Sequence, residues 1–283
     1  MDKRILLPTD FSKNALNAVR YALKLYADHD CNFYFLHVFP VDGYHVDNPI
    51  MLTEPDEKAF EKAKKNSEDE FKKLMKTLQR EPENPKHRYH TISTNDSLIE
   101  STKDLIRKKD IDIIIMGTQG TTGSRTVIFG TNTINMMEAI TVCPVLSIPE
   151  FTNPEPPNEI VFPTDYKSVF KRRELKHLME ISRMHNIGIR ILHIEEEKEL
   201  SKEQQESKDL LESIFKELDH SFHTLSDVKV HAGINAFIES RDSEMIAFLN
   251  KKSGFFHNIL SKPLVQELGY HSKIPVLALN DVL

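Results

Sequence analysis

The chain has 283 residues, a formal net charge of -6, 39% apolar and 28% charged residues, and two cysteines. An acidic balance excludes the broad positive field that nucleic acid needs, no apolar run approaches the roughly 18 residues of a membrane helix, and Cys31 and Cys143 are too few for a disulfide framework. The N-terminus, MDKRILLPTD, enters a strand-like run without the longer apolar segment of a secretory signal, so the expectation is a cytoplasmic protein with reduced thiols, no nucleic-acid partner and no membrane partner.

In chain order, Ile5 to Pro8 is an apolar strand, and Leu16, Val19, Leu23 and Tyr26 then recur at the spacing of one helix face. CNFYFLHVF, Cys31 to Phe39, predicts the next strand. Phe60, Ala63, Phe71, Leu74, Met75 and Leu78 mark a long helix, followed by a strand near Arg88 to Ile92 and a helix from about Asp96 to Arg107. IDIIIMG, Ile111 to Gly117, is apolar enough to be a strand covered on both faces; a last helix near Asn132 to Ile140 leads into PVLSIP. Strands alternating with helices predict a parallel, doubly wound α/β sheet, because parallel neighbours need crossovers that cover both faces.

The pattern then repeats. KRILLPTDFS returns as NEIVFPTDYKS from Asn158, YFLHVF as RILHIE from Arg190, and CPVLSIP as IPVLALN from Ile274. Three landmarks in the same order predict a tandem duplication: a domain over 1–150, a proline-rich linker over 151–157, and a second domain over 158–283. An exposed apolar final strand is a liability until covered, so PVLSIP and PVLALN are expected to pair within the chain about a pseudo-twofold axis. Association of two such chains into a homodimer is a further expectation.

The densest signal is GTQGTTGSRTVIFGTNT, Gly117 to Thr133, which holds four of the chain's nine glycines and follows an apolar strand. Open α/β sheets take ligands beyond the carboxyl ends of their strands, where the winding direction reverses. Glycines there allow close approach to main-chain amides, and a helix opening at Gly130 and Thr131 presents unpaired N–H groups to an anion. The plainer alternative is a glycine-rich turn. Neither a Walker loop nor a G-x-G-x-x-G pattern is present.

The spacing Gly117, two residues, Gly120, nine residues, Gly130, Thr131 resembles the nucleotide-binding signature of the universal stress protein family, G-x2-G-x9-G-[S/T]. The Pro-Thr-Asp strand end, the LHV strand and CPVLSIP look like family landmarks too, and the whole chain is similar to tandem members. The resemblance implies two five-stranded domains of the adenine nucleotide alpha hydrolase-like fold, with ATP and its Mg²⁺ as the cofactor of the first. It implies that Asp10 faces the ribose and base, that the backbone of Val38 meets the adenine edge, and that Met116, Gly117, Gln119, Gly120, Gly130, Thr131, Asn132 and Thr133 form the phosphate side. Gln119 stands where many members carry a basic residue, which weakens charge neutralisation; Arg125 is nearby on the same loop. For Asp10 the alternative role is an N-cap or turn residue.

Aligned back from its final strand without gaps, the second copy places Phe248 opposite Gly117, Lys251 opposite Gly120, Ser261 opposite Gly130 and Lys262 opposite Thr131, with Pro263 next. The signature glycines are gone although Asp165 remains. FIES, Phe237 to Ser240, matched to LIES, Leu98 to Ser101, leaves an interval shorter by eight residues before the next strand, which predicts a third helix lacking about two turns. Nucleotide is therefore expected in the first domain only. The function expected is an ATP-binding stress-response or regulatory protein acting on a protein partner; the alternatives are a nucleotide-independent interaction module and a slow ATP-hydrolysing enzyme. No metal-ligand spacing or catalytic grouping is recognisable.

Overall fold

A computed structural model of the chain describes residues 2–41, 57–118, 130–195, 199–250 and 274–280. Strand β1 (Lys3–Pro8) leads to helix α1 (Lys13–Leu25), β2 (Cys31–Val38), α2 (Glu57–Leu78), β3 (His87–Thr94), α3 (Leu98–Lys109), β4 (Ile113–Gly117), α4 (Thr131–Ala139) and β5 (Val145–Ile148). The second half runs β6 (Glu159–Pro163), α5 (Lys176–His185), β7 (Gly188–Ile194), α6 (Lys202–Phe215), β8 (His220–Leu225), α7 (Val230–Arg241), β9 (Met245–Asn250) and β10 (Val276–Asn280). Each helix predicted in the first half is present. Serine caps open three of the described helices, α1, α3 and α6: Ser12, Ser97 and Ser201 accept from the backbone of Ala15, Glu100 and Gln204.

Among the described residues all the strands join one ten-stranded sheet in the order β3-β2-β1-β4-β5-β10-β9-β6-β7-β8. With β1–β5 equated to β6–β10, the order is the same from either end, as a pseudo-twofold axis requires. Neighbours within each half are parallel, and the two halves meet antiparallel through β5 and β10, where Ser147 faces Val276 and Leu146 faces Leu277. This is the expected pairing of PVLSIP with PVLALN. The Ser147 hydroxyl also donates to the Val276 carbonyl at 3.3 Å. Lys3 pairs with Glu180 at 2.8 Å, and His185 meets the Leu25 carbonyl at 2.7 Å, so α5 is tied to the first half.

Strand alternation sorts the core into two layers. Ile5, Leu7, Phe33, Phe35, Ile113 and Ile115 face α1 and α2, while Leu6, Leu36, Ile114 and Met116 face the side of α3 and α4. Each layer continues across β5 and β10 into the second half, through Phe162 and Ile191 on one face and Val161 and Leu192 on the other.

The structure corrects two expectations about the second copy. Helix α7 has 12 residues, as α3 has, so no turns are missing. LIES starts α3, whereas FIES lies at the end of α7; the match joined different turns of equivalent helices. The two helices correspond instead through their left-handed C-cap residues, Asp110 and Asp242, at φ 47 and φ 52. The second correction is a register shift of one. Ile5 and Leu6 pair with Ile113 and Ile114, and Ile160 and Val161 pair with Met245 and Ile246. Leu249, not Phe248, therefore stands at the position of Gly117, and Asn250 at that of Thr118. The gapless alignment failed because the connection before β10 is one residue shorter than the one before β5.

Candidate functional site

Within the first half the winding reverses between β1 and β4, so the crevice lies beyond Pro8 and Gly117. On the β1 side, Pro-Thr-Asp builds a tight turn. The Thr9 hydroxyl accepts from the Phe11 N–H at 3.0 Å, Asp10 Oδ1 accepts from the Ser12 N–H at 3.1 Å, and Phe11 takes a left-handed φ of 60. The second half repeats it: Thr164 accepts from Tyr166 and Asp165 from Lys167, each at 2.9 Å, with Tyr166 at φ 56. The repeated motif thus has a backbone purpose of its own. Ser12, not Asp10, is the N-cap of α1.

On the β4 side, Gly117, Thr118, Gly130 and Thr133 form one knot. The Gly130 N–H donates to the Thr118 carbonyl at 2.6 Å, and the buried Thr133 hydroxyl reaches the carbonyls of Gly117 and Thr118 at 3.0 and 3.2 Å. Its proton is engaged inward, so Thr133 holds the turn rather than offering a donor outward. Thr131 and Asn132 are exposed in the first turn of α4. Gly130 caps that helix at φ -62 with no side-chain hydrogen bond to its leading N–H groups. Met116 is 6% exposed and its side chain packs with Leu36, Met136 and Met137, so it belongs to the core beneath the rim. Val38 ends β2, one strand beyond β1, beside Thr94. Gln119, Gly120 and Arg125 lie outside the described residues.

Gly117 has a further reason to be glycine. A Cβ built there lies 2.9 Å from Asn14 Cγ, and its φ is outside the left-handed region. Asn14, in the first turn of α1, occupies that space and donates from Nδ2 to the Thr118 hydroxyl at 3.3 Å. Asn14 was not among the expected site residues. Nor was His37, whose Nδ1 lies 2.7 Å from the buried Ser67 hydroxyl, itself 2.7 Å from Ser93, and whose ring sits 4.6 Å from Phe11. Burial lowers the His37 pKa, outweighing the pull of Asp10 and Glu70, so the ring is neutral at pH 7. Asn14 falls in no sequence motif, and His37 lies in the LHV strand without being one of the expected site residues.

The second rim keeps the ring–histidine pair of the first but differs at the end of β9. Leu249, 6% exposed, fills the place of Gly117 with a side chain that joins the core, and Tyr166, 2% exposed, lies 4.9 Å from His193. The helix expected between β9 and β10, with Lys251, Lys252, Ser261, Lys262 and Pro263, lies outside the described residues.

A parallel sheet with its crevice at the winding reversal, bounded by a short turn on one side and a strand–glycine–helix unit on the other, defines a doubly wound α/β protein of the type that receives ligands at its carboxyl rim. The profile of the universal stress protein family matches residues 1–149, and the chain belongs to that family. A universal stress protein of Methanocaldococcus jannaschii is 25% identical over 146 residues, 52% of this chain and 81% of the relative. Among solved structures, a universal stress protein from Archaeoglobus fulgidus superposes over 98% of this chain and 96% of its own with a TM-score of 0.70 at 13% identity. A putative universal stress protein from Pseudomonas aeruginosa covers 99% of this chain and 94% of its own, with a TM-score of 0.59 at 13% identity. At these identities the likeness is one of fold, and it spans both halves.

Proposed function

We propose that the protein is an ATP-binding regulator of the stress response, with one nucleotide held at the rim between β1 and β4 of a first domain over 1–150. The linker is 151–157, and the second domain, 158–283, serves structure and partner contact. The observation that carries this reading is the opening of α4: its leading N–H groups follow a glycine cap that supplies no side-chain acceptor, and they sit beside Gly117 and Thr118 at the winding reversal. An anion is the natural complement of such a helix start. ATP supplies that anion, with Mg²⁺ neutralising phosphate charge that Gln119 does not. Thr131 and Asn132 face the phosphates, while Asp10, which would repel them, meets the ribose. Val38 offers main chain to the adenine edge. Thr133 and Asn14 act from beneath, holding Gly117 and Thr118 in place.

Occupancy, not turnover, is the working event of this reading. The two buried free thiols, Cys31 and Cys143, agree with a reducing cytoplasm. Saturation binding by calorimetry with ATP and Mg²⁺ tests the reading. The expected stoichiometry is about one per chain, with affinity reduced about tenfold by Asp10→Ala, the scale of one hydrogen bond to a charged group. Two nucleotides per chain refute the assignment to the first half, and none favours a nucleotide-independent module.

A further inference from the structure

We propose that Asn250 and Asn280, at the carboxyl ends of β9 and β10, are positioning residues for the opposite rim: they grip the C-terminus of α4 and thereby fix the helix whose N-terminus faces the ligand. The proposal rests on the reading that α4 opens onto a nucleotide phosphate.

Helix α4 has little to hold it by itself. It is nine residues long, begins with Thr131, Asn132, Thr133 and Ile134, has no side-chain N-cap, no acidic residue in its first turn and no basic residue in its last. Helices this short and rich in β-branched residues are marginal without tertiary contacts. At its start the contacts come from its own half, through Thr118 and Gly117.

At its end they come from the other half. Asn250 Nδ2 donates to the Met137 carbonyl at 2.5 Å, and Asn280 Nδ2 donates to the carbonyls of Ile140 and Cys143 at 2.8 and 2.6 Å. Asn250 Nδ2 also meets Asn280 Oδ1 at 3.2 Å, so the two amides act as a unit. Asn280 is 2% exposed. Carbonyls at the last turn lack intrahelical partners, and amide donors satisfy them without a charge.

The register adds meaning to the position. Asn250 and Asn280 form the last pair of the β9–β10 ladder, and Asn250 is the counterpart of Thr118. One residue ties the start of α4, and its duplicate ties the end. The second rim, plugged at Leu249, has become a support for the first.

The test compares wild type, Asn250→Leu, Asn280→Leu and Ser147→Ala, the last removing a hydroxyl at the same junction whose hydrogen bond goes to the Val276 carbonyl and not to α4. Hydrogen exchange of the amides of residues 134–140 and the dissociation constant for ATP with Mg²⁺ are both measured. The expected result is exchange in α4 accelerated about tenfold and ATP affinity weakened about tenfold in both asparagine variants, a shift typical of coupled sites, with Ser147→Ala near wild type in both. If Asn280→Leu fails to fold, Asn250→Leu, whose side chain is only half-buried, carries the comparison. Unchanged exchange in α4, or unchanged ATP affinity, overturns the proposal, as does an equal effect of Ser147→Ala. Should wild type take up no nucleotide, the nucleotide reading falls by itself, and exchange in α4 alone decides whether the asparagines hold the helix.

Discussion

Replacing Gly117 by alanine isolates the close approach under the first rim. The added Cβ would lie 2.9, 3.0 and 3.1 Å from Asn14 Cγ, Nδ2 and Oδ1, whereas ordinary contact begins near 3.4 Å. The amide must then retreat by about half an ångström, and its bond to Thr118, already 3.3 Å long, breaks. Asn14 is 4% exposed, so water does not replace that bond. A lost buried hydrogen bond costs about 1 to 1.5 kcal/mol and a modest overpacking about 1 to 3 kcal/mol. Alanine recovers about 0.5 kcal/mol by restricting the unfolded chain, since Gly117 is not in a left-handed conformation. The net expectation is a loss of about 1.5 to 4 kcal/mol, or a melting point lower by about 3 to 7 °C for a chain of this size. Asn14→Ala removes the obstacle, so the double variant is no less stable than Asn14→Ala alone, a coupling of about 2 kcal/mol in a double-mutant cycle. Urea unfolding of the four proteins provides the numbers. Full stability of Gly117→Ala, or strictly additive losses, would show that Asn14 is not what keeps this position a glycine.

Two further outcomes follow from charge and burial. Desolvation alone would raise the pKa of Glu159, but hydrogen bonds from Arg241, Arg190 and Ser243 outweigh it and bring the carboxyl down from 4.5 to about 2. The contribution is whole above about pH 4.5 and drains away as pH falls towards about 2; Glu159→Gln flattens that part of a stability profile measured by urea unfolding. Burial pushes the thiols of Cys31 and Cys143 up to about 12, so a thiol reagent at pH 8 labels neither in the native protein and both on unfolding.

Much of the architecture is legible in the sequence because it follows from local rules. Pro-Thr-Asp recurs because both halves need the same hydroxyl- and carboxylate-bonded turn, and the strand order follows from apolar runs separated by helix-period segments. The pairing of the final strands follows from their apolar character at what would otherwise be an open edge. What escaped depends on register and on distance. A gapless count cannot see a one-residue difference between connections, so Phe248 took the place of Leu249. LIES and FIES share letters because both lie on half-buried helix faces, not because they share a position. Asn14 and Asn250 lie in no motif, Asn280 is only the last letter of the repeated IPVLALN strand, and asparagine near the end of an element suggests a turn or a cap. Their partners are 104, 113 and 140 residues away in sequence.

The antiparallel seam between β5 and β10 also changes what concentration means for this molecule. Two separate chains joined along such a seam would fall apart on dilution, whereas here the connection after Ile148 keeps the mates at a fixed, high local concentration however scarce the protein is. Fusion also breaks an obligation of sameness. In a self-pairing single chain every substitution appears at both ends of the assembly, but in this one Leu249 and Asn250 appear once, leaving each end free to take up separate work.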